Sequence, residues 1–358
     1  MTQSAWHAWP RSARPKKTAL LRFGEAKTRK GLRNLSAAAR IDSSLFLGAD
    51  EHGGIDRLTH RGQSEWAGHR RFELANLLPL ADPDAEVDIE GLAVGDGWLW
   101  VLGSHARTRA KPEKLPGECI DLDALADLKD TRARCLLARL PLIEDKDGWT
   151  PVAADGERRA GMLPQDATGN ALARALADDP LVAPFTRIPA KEGGLDIEGI
   201  AVCGSRVALG LRGPVIGTHA LLLELDLAVR DDGTLAIAHG PVRRLLAMEG
   251  LGIRDLKRLG DDLLVLAGPT TGLSGPCAIY RWSGWATDPA RDPHKVRLHR
   301  PERVLDLPFG RGCDHPEGLA AWRTAKGNTR VMVVHDSPCD DRVDADARTI
   351  VADVFALR

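Results

Sequence analysis

Asp88-Ile89-Glu90-Gly91-Leu92-Ala93 returns as Asp196-Ile197-Glu198-Gly199-Ile200-Ala201, and His315-Pro316-Glu317-Gly318-Leu319-Ala320 is a third, imperfect copy. Self-similarity of this kind indicates one supersecondary unit used several times. Each copy runs on into a short apolar stretch, at 98–103, 206–210 and 330–334, which reads as a strand paired with the first. The same two-part template finds weaker copies at Asn34-Leu35-Ser36-Ala37, followed by 44–48, and at Gly252-Ile253-Arg254-Asp255, followed by 262–266. Five units result.

Alternating or apolar runs place a third strand in each unit at 54–60, 135–142, 220–227, 277–283 and 350–357. A fourth follows in four of them, at 71–78, 184–189, 242–248 and 302–308. The chain ends before the fifth unit has its fourth strand. The segment Lys17-Thr18-Ala19-Leu20-Leu21-Arg22-Phe23 is expected to pair with that unit and close the ring, leaving only short, protected edges. The expected fold is all-β, a β-propeller of five four-stranded blades. Six blades is the alternative, because Asp88 to Asp196 spans 196 − 88 = 108 residues against 88 − 34 = 54 from Asn34 to Asp88. The extra length reads as helical insertions in the second blade, since 120–134 and 170–179 are rich in Ala, Leu, Asp and Arg at helical spacing. The chain thus divides into a basic N-terminal arm over 1–32 that contains the closing strand, and one propeller domain over 33–358 with insertions at 106–134 and 143–181.

With 358 residues, 43% of them hydrophobic, and a net charge of −1, the chain can bury a large core without disulfides or metals. Aromatic residues at 4% argue against a sugar-stacking surface. No apolar run approaches the roughly 18 residues of a membrane span, and the N-terminus lacks the apolar stretch of a signal peptide. Six cysteines without paired spacing agree with a reduced, cytoplasmic setting. Ten Lys or Arg stand against only Glu25 in the first forty residues. No interleaving of basic and aromatic residues continues into the body, so neither nucleic acid nor membrane is an expected partner. Serine-hydrolase, P-loop and zincin motifs are missing, and Asp255 stands where a dinucleotide fingerprint starting at Gly250 needs its third glycine.

Antiparallel pairing sets the start of each first strand beside the end of the second. That brings together Ser36 with Asp50 and Glu51, Glu90 with Ser104 and His105, Glu198 with Arg212, Arg254 and Asp255 with Thr270, and Glu317 with His335 and Asp336. Strict alternation puts Asp88 with Glu90, Asp196 with Glu198, and His315 with Glu317 on one face. Innermost strands line the channel of a propeller, so the expected ligand-binding set at one acidic mouth is Glu51, Asp88, Glu90, His105, Asp196, Glu198, Arg212, Arg254, Asp255, His315, Glu317 and His335. Glu90, Glu198 and Glu317 offer the oxygen ligands that Ca²⁺ or Mg²⁺ uses, and His105, His335 and Asp336 are the candidates for acid–base chemistry. Two other arrangements compete. Arg212 and Arg254 would neutralise the carboxylates without any metal, while Gly91, Gly199 and Gly318 would merely permit close approach of neighbouring strands. Cys313, His315, His335 and Cys339 lie at the two ends of one hairpin but match no zinc spacing.

Asp88 to Ala93 with Leu99 to His105, the second Asp196 to Ala201, Ile253-Arg254-Asp255-Leu256 and Pro316 to Leu319 together resemble the bacterial family called domain of unknown function 3616, over 34–357. That resemblance implies a bacterial, propeller-like protein with no assigned activity. More distantly, the D-x-E-G element is similar to one in the propellers described as esterase-like activity of phytase. Glu90, Glu198 and Glu317 are similar to the metal-binding glutamate of gluconolactonase-like propellers. The functional expectation is a propeller that binds a small molecule or peptide at its mouth. The alternative is a metal-dependent hydrolase of phosphorylated, ester or lactone substrates, using Ca²⁺ or Mg²⁺ on the carboxylate ring.

Overall fold

The computed structural model describes residues 11–357 other than 26, 29, 50–52, 289–291 and 310–313. Strand β1 (Lys17–Arg22) precedes an antiparallel meander of β2 (Leu35–Ile41), β3 (Ser44–Ala49), β4 (Gly54–Gly62) and β5 (Glu65–Glu73). A second group follows as β6 (Ile89–Gly95), β7 (Trp98–Gly103), β8 (Leu137–Asp145) and β9 (Gly161–Met162), and a third as β10 (Asp196–Cys203), β11 (Arg206–Ile216), β12 (His219–Val229) and β13 (Leu235–Ala247). The fourth is β14 (Gly252–Leu259), β15 (Asp262–Gly268), β16 (Cys277–Trp282) and β17 (Glu302–Leu307); the last is β18 (His315–Arg323), β19 (Thr329–Asp336) and β20 (Thr349–Leu357). β1 pairs antiparallel with β20 from Lys17↔Val354 to Arg22↔Thr349. Leu20↔Glu65 and Leu21↔Trp66 also join β1 in parallel to β5, so the first and last groups form one nine-stranded sheet.

Leucine, isoleucine and valine on both faces of these strands make five hydrophobic clusters, each filling the space between two successive groups. Phe46 and Ile55 meet Ile89 and Leu99, Leu102 and Leu137 meet Ile200 and Leu209, and Ala208 and Leu222 meet Leu256 and Val265. Leu266 and Ile279 meet Leu319 and Val333, while Leu45 and Leu58 meet Val334 and Ala352. Burying each such side chain is worth roughly 1.5–3 kcal/mol, which makes these interfaces the main source of stability. The first strands pack in succession, β2 on β6, β6 on β10, β10 on β14, β14 on β18, and β18 back on β2.

Three strand expectations need correction, one of them the fourth strand of the third group, which starts at Leu235 and not at 242. Segment 184–189 is not a strand; Ala183–Phe185 forms a 3₁₀ turn, and Pro184 and Pro189 lack the N–H a ladder requires. The fourth strand of the second group is instead the two-residue β9, paired with β8. In the first group the fourth strand starts at Glu65, ahead of the expected 71, and runs to Glu73. The helical segments are shorter than expected: α1 (Leu122–Ala126) is capped by Asp121 and α2 (Ala171–Ala177) by Asn170, whose Oδ1 accepts from Ala173 N at 2.9 Å. Segment 143–181 also carries β structure at Gly148–Pro151, Ala154–Asp155 and Arg158–Arg159. Among the described residues no helix is long and apolar enough to cross a membrane, and the five described cysteines are free.

Candidate functional site

The first strands share a feature that strict alternation did not anticipate. The pairing with the second strand slips between Leu35 and Ala37, Ile89 and Gly91, Ile197 and Gly199, Ile253 and Asp255, and Pro316 and Gly318. The skipped residue is the third of each motif copy: Ser36, Glu90, Glu198, Arg254 and Glu317. A β-bulge leaves one residue unpaired and re-aims its side chain. Four of these five residues line one cavity of about 980 Å³; the fifth, Ser36, instead donates from Oγ to the Ile89 carbonyl of the adjacent strand.

The glycine after the bulge explains why the motif is so short and fixed. A Cβ on Gly91 would lie 2.9 Å from Ile200 Cγ2, on Gly199 2.7 Å from Leu256 Cγ, and on Gly318 3.0 Å from the Ala38 backbone nitrogen. Each glycine therefore lets one first strand press against the next. The fourth copy has Asp255 at this place. Its buried carboxylate accepts from Leu256 N and from Leu319 N on β18, both at 2.7 Å, and from Lys257 Nζ at 2.5 Å. Lys257 Nζ also donates to Leu92 O on β6 at 3.0 Å. Burial pushes the Asp255 carboxyl up to about 6 and Lys257 down, while their mutual attraction opposes both shifts. Asp255 is thus a structural clamp, and it does not line the cavity.

On the cavity floor, Arg212 Nη1 donates to Glu198 Oε1 at 3.0 Å and lies 3.6 Å from Asp196; its remaining nitrogens donate to Pro269 O and Thr271 O. Arg254 Nε is 3.0 Å from Glu198 Oε2, an ion pair without hydrogen-bond alignment, and its Nη2 pairs with Glu317. Asp88 accepts from Ser104 Oγ at 2.5 Å and Arg134 Nη1 at 2.7 Å, so Ser104 partners Asp88 where Glu90 was expected. The bulge between them accounts for the change. Burial, and then the neighbouring Glu198, push the Asp196 carboxyl up to about 7 against the pull of Arg212. Burial likewise raises Asp88 and Asp336, opposed chiefly by Arg134 and Arg254 respectively.

Of the expected ligand-binding residues, Asp88, Glu90, Asp196, Glu198, Arg212, Arg254, His315 and Glu317 line this cavity, together with Asp336. His105 and His335 do not. His105 is buried against Gly103 O (2.9 Å) and Asn170 (3.2 Å), and burial lowers it to about 4. Burial and the nearby Arg342 lower His335 to about 4 as well. Both imidazoles are neutral packing groups in this arrangement. Glu51, like Cys313, lies outside the described residues.

Among the described residues no three His, Cys, Asp or Glu side chains gather to hold a metal ion. Glu90, Glu198 and Glu317 are not gathered as the expected Ca²⁺ or Mg²⁺ set; the Arg254 guanidinium stands between Glu198 and Glu317.

The expectation of an acidic mouth also changes. Nine Lys or Arg residues line the cavity against eight Asp or Glu, and none of its lining residues is Phe, Trp or Tyr. The added cations come from the long second unit: Arg107, Arg109, Lys111, Lys114 and Lys129 between β7 and β8, and Lys191 ahead of β10. Sequence reasoning missed them because they lie outside the repeat. The basic spacing of 107–114 was the available signal. Arg134 and Cys277 were missed too, and burial pushes the Cys277 thiol up to about 11, so it is not a poised nucleophile.

Comparison with solved structures finds similarity to a glutaminyl cyclase from Myxococcus xanthus, at 10% identity over 96% of this chain and 97% of that one, with a TM-score of 0.42. A thermostable family-43 glycoside hydrolase is similar at 11% identity over 90% and 88%, TM-score 0.43. An α-L-arabinofuranosidase from Podospora anserina is similar at 10% identity over 96% and 98%, TM-score 0.40. Likenesses at these identities and scores assign neither substrate nor chemistry. No curated protein sequence matches the chain. The family described as "Protein of unknown function (DUF3616)" matches residues 34–353, which span the D-I-E-G copies, their bulges and the cavity they line, and the chain belongs to that family.

Proposed function

We propose that this protein is a five-bladed β-propeller, closed by β1, that binds a small polar molecule in the cavity at one end of its ring. The observation that carries the reading is the bulge repeated at the third position of all five motif copies, which turns Glu90, Glu198, Arg254 and Glu317 toward one space. Strand pairings in five groups, the succession of first strands and the β1–β20 ladder support the blade count and closure. A volume of about 980 Å³ suits a small molecule better than a peptide. The lack of an aromatic platform disfavours recognition by stacking on a sugar ring. The test is a thermal-shift survey of small metabolites on the wild type and on Glu90→Gln, since a ligand that binds only the native state must raise its melting temperature. A compound that stabilises the wild type and not the variant supports the reading; stabilisation indifferent to Glu90→Gln moves the site elsewhere.

A second reading, hydrolysis without the glutamate metal set, draws on Asp196. A carboxyl that exchanges its proton near neutral pH in a cavity it shares with Glu198 and Arg212 is suited to general acid–base work. Turnover of the bound compound, abolished in Asp196→Asn, would distinguish an enzyme from a binding protein.

A further inference from the structure

We infer that the ligand of this cavity is a small molecule carrying two or more negative charges, a phosphorylated or polycarboxylate compound, gripped by the cationic rim supplied by the second unit; this rests on the small-molecule reading above. The rim and the floor differ in how their charges are satisfied. On the floor, Glu198 faces Arg212 and Arg254, Glu317 faces Arg254, and Asp88 faces Arg134. At the rim, Arg109 pairs with Glu192 at 2.7 Å and Glu86 pairs with Arg134. That leaves Arg107, Lys111, Lys114, Lys129 and Lys191, none of which makes an ion pair within 4 Å among the described residues, although all five line the same cavity.

Five cations held around one concavity repel one another, and the carboxylates near them are either already paired, as Glu86 and Glu192 are, or act from beyond ion-pair distance, as Asp130 does on Arg107 and Asp336 on Lys191. They arrive from two separate stretches of chain, 107–129 and Lys191, so sequence proximity alone did not gather them. Their side chains are exposed, long and flexible, and only a ligand with several negative charges would engage more than one at once. A neutral or cationic ligand would leave them unused. The floor, where Asp88, Glu90, Asp196, Glu198, Glu317 and Asp336 outnumber Arg134, Arg212 and Arg254, would receive the hydroxyl or amine groups of the same molecule.

The experiment measures affinity and melting temperature of the full chain with pyrophosphate and citrate as anionic probes, spermidine as cationic and glucose as neutral. It compares wild type, Lys111→Glu/Lys129→Glu, Lys111→Arg/Lys129→Arg, and Lys326→Glu, whose exposed charge lies away from the cavity. The expected result is that at least one anion stabilises the wild type, weakening with salt. Charge reversal at the rim should lower its affinity on the order of ten-fold or more, with retention in the arginine pair and in Lys326→Glu. Binding of spermidine or glucose alone would overturn the anion assignment and leave the ligand reading standing. Anion binding that survives rim reversal, or falls equally in Lys326→Glu, would overturn the rim as the site. No binding of any probe would count against both readings.

Discussion

Arg254 Nε stands 3.0 Å from Glu198 Oε2, although the two residues occupy the same position in successive copies of one motif. A repeat that kept glutamate here in three units has placed its charge complement in a fourth. Arg254 then reaches Glu317 of the fifth copy as well. Removing the guanidinium would take from buried Glu317 its ion-pair partner and leave Glu198 with Arg212 alone. Arg254→Ala should cost about 3–5 kcal/mol in denaturant unfolding, and adding Glu198→Gln and Glu317→Gln should recover a large part of it. If the triple variant is no more stable than Arg254→Ala, packing rather than charge holds this junction.

Asp196 gives the fold a pH dependence whose sign can be worked out. Its carboxyl is raised from 3.8 to about 7, so the folded state holds the proton more tightly than the unfolded chain. The stabilising contribution is fully present below about pH 4 and is lost as pH rises through about 7. Asp196→Asn removes that loss. Its unfolding free energy relative to wild type should climb between pH 4 and 7 and then level off, gaining on the order of 4 kcal/mol. A difference that stays constant across this range would mean that Asp196 titrates normally.

The glycines of the motif predict a local steric effect. Gly199→Ala puts a Cβ 2.7 Å from Leu256 Cγ and 3.1 Å from Ile253 Cγ2, and should destabilise by about 1–3 kcal/mol. Gly272→Ala, where nothing lies within 4 Å, is the matched control and should change stability little. Equal effects at the two positions would show that loss of glycine's freedom, and not strand contact, governs the cost.

Much of this architecture was legible in the sequence because the motif recurs with its partner strand. The pairing of 17–23 with the last unit followed from a missing strand and one spare apolar segment. What the sequence hid is equally specific. Alternation assigns Asp88 and Glu90 to one face, but it cannot reveal the bulge that separates them, since a bulge is defined by the partner's register. The short β9 has only Gly161 and Met162, too little for any periodicity. The rim cations lie in an insertion whose placement over the mouth depends on tertiary packing, so the mouth read as acidic when only the repeats were counted.

Strand β1 should be essential to stability. Ala19 and Leu21 are buried in the cluster that joins the first and last groups. Leu21→Ala should therefore cost about 2–5 kcal/mol by creating a cavity. Exposed Lys17→Ala on the same strand, whose backbone pairing is unchanged, should stay within about 0.5 kcal/mol. Denaturant midpoints measure both; a neutral Leu21→Ala would show that the β1–β20 pairing contributes little.

Anion binding and the Asp196 proton should be linked. A negative group brought beside a carboxyl favours its protonated form, so binding near pH 7 should take up a fraction of a proton. Calorimetric titration of the wild type in two buffers of different ionisation enthalpy reads this directly as a difference in apparent binding enthalpy. The uptake should shrink at pH 5, where Asp196 is already protonated in the folded state, and fall in Asp196→Asn at pH 7. Buffer-independent enthalpies at pH 7 in the wild type would place the bound anion too far from Asp196 for the two to share one cavity floor.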